Sequence, residues 1–149
     1  MSSMFNPKDS DAILARIQRL TPNQKAEWGK MNVSQMLAHC RAPLRVATGE
    51  LQLKRSLMGF LFGRLAKKSL TGPKPFQRNL PTDKSFLVRD QRDFATEKRE
   101  LIEQVQSFVA GGPAGLISTP HPFFGKLTVA EWDTLQWKHL DHHLRQFGV

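Results

Sequence analysis

The sequence predicts an all-α fold, a bundle of four or five helices, on three observations. Apolar residues recur at three- and four-residue spacing in several segments of about 12–20 residues. No alternating apolar–polar run is longer than a few residues, so nothing calls for a sheet. Two proline- and glycine-bearing stretches separate the helical segments, which places long loops between helices 3 and 4 and before the C-terminal helix.

The first helix is expected from Asp9 to Leu20, with Ile13, Ile17 and Leu20 on one stripe and Asp9 or Ser10 as cap. Thr21-Pro22 stops it, since a residue before proline avoids the helical region. Asn32 reads as the cap of a second helix, Val33 to about Thr48, with a kink favoured at Pro43. A third helix is expected over Leu53–Ser69. Its apolar residues fall on two sides, Leu57, Phe60 and Leu61 on one and Met58, Phe62 and Leu65 on the other. Such a helix should be covered twice, by extra core packing or by a second copy in a homodimer, and Arg64 argues against lipid insertion. The stretch "TGPKPFQRNLPTDKSF" reads as an irregular connection, with Phe86-Leu87-Val88 a short extended piece at most. A fourth helix near Phe94–Val109 ends at Gly111-Gly112. The last helix opens with Thr128 as cap and Glu131 three residues on, a capping box.

The 149 residues suit a single domain, 1–149, with 40% apolar and 23% charged residues. No apolar run reaches the ~20 residues of a membrane span, and "MSSMFNPKDSD" has no secretory pattern, so a cytoplasmic location is expected. With Cys40 as the only cysteine, a disulfide within the chain and a thiolate cluster are both excluded, and Cys40 itself reads as a small core residue. The net charge of +9 is concentrated between Arg41 and Arg78, where nine Lys and Arg face the lone acid Glu50. That window can attract an acidic small molecule, an anionic lipid surface or nucleic acid, or serve as a solvated face. Nucleic acid is disfavoured, because no recognised motif and no aromatic–basic interleaving occur.

Three of the five histidines lie in "WKHLDHHLRQ". On a helix His139 and His143 are one turn and about 40° apart, whereas His142 and His143 diverge by about 100°. His139 and His143 can therefore converge on one ion as half of a metal site, the alternative being a capped or partner-bonded surface pair, and His142 is a neighbour. Leu140 replaces the glutamate that a zinc-protease helix requires. Trp132, Leu135, Gln136 and Gln146 share the face of the pair, and Lys138, Asp141 and Arg145 take the opposite one. In "SQMLAHCRAPLR", His39 lies on one side with Met36, Pro43 and Val46 and points into the bundle. Three imidazoles from two helices match an open metal site with one position left for water or substrate. His121, between two prolines, is a lesser candidate as a supporting group, an acid/base or a surface residue.

These residues carry a resemblance. His39, followed by His139, His143 and Gln146, resembles the DinB-like superfamily of four-helix-bundle metalloenzymes, in which a late helix reads His-x-x-x-His-x-Gly-Gln. Arg145 departs from that pattern, standing where the superfamily has glycine. The stretches "WGKMNVSQMLAHC", "KPFQRN" and "HPFFGKLTVAEWDTLQWKHLDHHLRQFG" are similar to a bacterial branch described only as a domain of unknown function, over nearly the whole chain. The resemblance implies a DinB-like four-helix bundle and a divalent ion, zinc or nickel, on His39, His139 and His143. It further implies a metal-dependent transferase, isomerase or hydrolase acting through an activated water or thiol. A bacillithiol-, mycothiol- or glutathione-like substrate would present its carboxylates to the basic window. The competing expectation is a non-catalytic basic helical module on nucleic acid or anionic surfaces, its metal site unused.

Overall fold

The computed structural model describes residues 2–55 and 57–149, with the side chains of all of these except 57–60 and 64. Among the described residues the chain is all-helical, and the one strand-like feature is an isolated bridge between His121 and Gly125. Five α-helices follow in order: α1 Pro7–Arg19, α2 Val33–Ala47, α3 Leu57–Leu70, α4 Phe94–Gly111 and α5 Val129–Gln146. No helix among the described residues is long and apolar enough to cross a membrane.

Local chemistry explains several of the boundaries, including the early start of α1. α1 starts at Pro7 because Asn6 accepts from the Lys8 amide and proline suits the first helical position. Ser10 does not cap; its hydroxyl donates back to the carbonyls of Asn6 and Pro7. α2 and α5 open with complete capping boxes, Asn32 with Gln35 and Thr128 with Glu131. α2 continues through Pro43 to Ala47. α3 begins at Leu57 rather than Leu53, and the segment expected as extended is a 3-10 turn, Lys84–Phe86, capped by Asp83.

α2 packs against α4 and α5, and α1 packs against the same two helices. Between them lies a core that includes Ile13, Ile17, Leu37, Leu44, Val105 and Trp132. Polar ties fix the frame at its edges. The Met4 amide donates to Asp133 of α5, and Arg16 of α1 reaches Asp141 and the carbonyl of Val149. Arg41 of α2 pairs with Glu97 and Glu100 of α4, and Glu97 also meets Arg92. Glu97 is buried, so these partners are what make its charge tolerable there.

α3 is attached from one side. Lys138 of α5 buries its ammonium against the carbonyls of Ser69, Leu70 and Gly72, meeting acceptors that a helix end leaves open. Lys138, expected on the outer side of the last helix, is therefore covered by the end of α3. Lys67 pairs with Glu131 and donates to the carbonyl of Lys126. Extra core packing for α3 is overturned at the described positions: Leu61, Phe62 and Leu65 are 61%, 64% and 81% exposed. The side chains of Leu57, Met58, Phe60 and Arg64 lie outside those described.

Gly63 sets how closely α3 approaches the loop before α5, since a Cβ there would sit 1.8 Å from the Phe123 carbonyl oxygen. Gly111, at the end of α4, has open space around it. Alanine in a helix gains up to about 1 kcal/mol over glycine, whereas overpacking costs about 1–3 kcal/mol. Gly111→Ala is therefore expected to raise the urea midpoint and Gly63→Ala to lower it. Midpoints moving in the same direction would contradict the close approach of α3.

Candidate metal centre

The capping box of Asn32 starts α2 so that His39, two turns later, projects between α2 and α5 toward His139 and His143. The three rings form a near-equilateral triangle, with centroids 4.9, 4.7 and 4.7 Å apart. One nitrogen from each lies within 4.8 Å of the others. Nε2 of His39 and Nε2 of His139 are 3.0 Å apart. Zinc–nitrogen bonds are about 2.1 Å long, so nitrogens this close together could share one ion.

Two of the rings have their hydrogen positions fixed by their surroundings. Nδ1 of His39 lies 2.8 Å from the carbonyl oxygen of Phe86. A carbonyl can only accept, so this Nδ1 carries the hydrogen and Nε2 presents a lone pair. Nδ1 of His143 lies 2.7 Å from Oε1 of Gln146. The amide of Gln146 is oriented by its other end, where Nε2 donates to the carbonyl of Trp28 at 2.7 Å. His143 therefore donates from Nδ1 and also presents Nε2. This is the outer-sphere arrangement that orients metal-binding histidines. Nδ1 of His139 is enclosed and has no hydrogen-bond partner.

Burial also favours the neutral, ligand-competent rings. Desolvation lowers the pKa of His39 against the opposing effect of its bond to Phe86. It holds His139 well below the ordinary value, helped by repulsion from the neighbouring histidines. His143 is pushed down to about 3, chiefly by desolvation and then by His39. Neutral imidazole is the form that binds metals.

The remaining sequence candidates separate clearly. His142 is outside the triad and half-buried, edge-on to Trp28 and close to Phe76. It lines a cavity of about 60 Å³ with Phe76, Trp137, Lys138 and Arg145 among others. His121 is buried away from the surface, and its Nδ1 accepts from the amides of Phe123 and Phe124. Its role is to hold the turn before α5. Cys40 is enclosed in the core beside the Met36 sulfur, with its thiol pKa pushed up by burial. In the basic window, Arg41, Arg45 and Lys67 are paired with acids, and Arg78 stacks over Trp28 at 4.2 Å. Arg145 is exposed and pairs weakly with Asp141.

Of three further contributors, two carry no signal in the sequence and one a faint one. The Phe86 and Trp28 contacts are made by backbone carbonyls, which any residue supplies. Gly29 has φ +84, and a Cβ there would lie 2.5 Å from Nε2 of Gln146, so only glycine lets this turn reach the amide. A glycine following tryptophan near a predicted cap was the one available hint.

Fold and site together define an all-helical protein with a buried three-histidine group that can hold a metal ion. The chain belongs to the family described as Protein of unknown function (DUF1569), which matches residues 3–148. No curated protein and no solved structure matches the chain.

The histidine environments fix a pH dependence. His121 and His143 have folded-state values of about 3 against an ordinary 6.5. Between these values the unfolded chain binds more protons, so stability is full above about pH 6.5 and declines as pH falls toward 3. Each ring contributes a slope of at most about 1.4 kcal/mol per pH unit. In chelator, urea midpoints should drop steadily from pH 7 to pH 5; unchanged midpoints would contradict buried neutral rings.

Proposed function

We propose that the chain is a single DinB-like four-helix-bundle domain, 1–149, in which His39, His139 and His143 hold a divalent ion, zinc or nickel. The pairing of α1 and α2 with α4 and α5 supports the bundle. The observation that carries the metal reading is the pair of Nδ1 bonds to Phe86 and Gln146, which make Nε2 the lone-pair nitrogen of both His39 and His143. A structural zinc site takes four protein ligands, whereas three imidazoles leave a position open. An ion so held supplies Lewis acidity that lowers the pKa of a water or thiol at the open position. We infer the reaction class to be transfer or isomerisation on a low-molecular-weight thiol, a reading supported by the histidine pattern and the donor set. In it, Phe86 and Gln146 keep the rings of His39 and His143 oriented.

Protein prepared without a histidine tag and reconstituted should carry close to one equivalent of zinc or nickel by elemental analysis. Alanine at His39, His139 or His143 should reduce this to background. Gln146→Leu, which removes the acceptor from His143, should weaken the metal affinity about 10–100-fold while the far-UV spectrum is retained. Wild-type protein that stays nearly metal-free after reconstitution would overturn the reading. For the thiol class, cobalt-loaded protein should gain a thiolate charge-transfer band on addition of glutathione or bacillithiol. Absence of such a band with metal bound would reject the thiol while leaving the metal site standing.

A further inference from the structure

α3 presents Leu61, Phe62 and Leu65 to solvent. At about 100° per residue, Leu61, Leu65 and Phe62 cover one arc centred roughly 150° from Gly63. Gly63 is the buried contact against the Phe123 backbone. The outward orientation is imposed rather than incidental. Lys67 is held by Glu131 and the Lys126 carbonyl, and Lys138 holds the carbonyls of Ser69, Leu70 and Gly72. These ties fix the helix by its inner side, so Leu61, Phe62 and Leu65 cannot turn toward the core without breaking them.

The segment that carries α3 is charged in one sense, and the acid that meets it, Glu131 on Lys67, lies against its inner side. Residues 51–82 contain seven Lys and Arg and no Asp or Glu. Lys54, Lys68 and Lys74 among them are exposed. Exposed Leu and Phe flanked by cations are what a helix lying in a lipid interface requires: the apolar side chains enter the acyl boundary and the cations meet anionic headgroups. We propose that α3 is a docking face for an anionic lipid bilayer, on which it lies in the plane of the surface. At 14 residues, or about 21 Å, it is too short to span the ~30 Å hydrocarbon core, and Arg64, which argues against insertion into that core, is compatible with a helix lying at the headgroup boundary. Charge complementarity selects this occupant over a second copy, since a two-fold contact through α3 would bring the same cations against each other. It also selects it over nucleic acid, whose phosphates would leave Leu61, Phe62 and Leu65 without a partner. The proposal is independent of what the histidines hold.

Co-sedimentation of the full chain with phosphatidylcholine vesicles, with and without about a third of phosphatidylglycerol, tests it. Binding is expected to the anionic vesicles only and to weaken with salt. A Leu61→Ser, Phe62→Ser, Leu65→Ser variant should lose it without change in far-UV spectrum or metal content. A Lys54→Glu, Lys68→Glu, Lys74→Glu variant should bind at least about 10-fold more weakly. Equal sedimentation with neutral and anionic vesicles, or unchanged binding by the serine variant, would overturn the proposal. So would a lipid-free dimer in analytical ultracentrifugation that the serine variant converts to monomer, since the face would then join two copies.

Discussion

Three imidazoles enclosed between α2 and α5 impose the constraint around which much of this chain is arranged. A buried polar ring costs several kcal/mol unless its hydrogen finds an acceptor. Two segments outside the helices exist in the positions they do because they supply those acceptors. The connection after α3 brings the Phe86 carbonyl to His39, and the turn at Trp28 and Gly29 clamps Gln146 so that its oxygen faces His143. Nδ1 of His139 is enclosed and finds no such partner. The irregular parts of the chain are thus tied to the chemistry of the regular ones.

Much of this was legible in the sequence because helices declare themselves locally. Caps at Asn32 and Thr128, the stop at Gly112 and the one-turn spacing of His139 and His143 are short-range signals, and the elements they predict are present. The inward placement of His39 also followed from its stripe with Met36. What was not legible is long-range or made by the backbone. No residue pattern marks the Phe86 carbonyl as a partner for His39, because the contact depends on the path of a connection with little periodicity. The first helix was misjudged at its start because Asp9 and Ser10 are good caps in general, but proline at position 7 made Asn6 a better one.

α3 shows the same division more sharply. Its helical period was readable, yet which side faces inward was decided by partners far along the chain, Phe123, Glu131 and Lys138. An apolar helix reads as buried when its own sequence is the only information. Here the inward side is the one with Gly63 and the lysine hydrogen bonds, and Leu61, Phe62 and Leu65 are left outside. The basic window is likewise less uniform than its composition suggests. Acids from α4 and α5 neutralise Arg41 and Lys67, and the exposed cations are concentrated around α3.

The separation of the site's parts along the chain has a consequence for how the protein forms. His39 and His139 are 100 residues apart, so a large loop must close before they meet. Closing it is entropically unfavourable until α5 is in place to reward it, which puts completion of the triad late in folding. A partly folded or nascent chain, with α2 packed on α4 but α5 undocked, offers a single imidazole on the first element and a loose pair on the last. Neither is a three-coordinate chelator. The three-imidazole group therefore exists as a group only once the tertiary structure is complete.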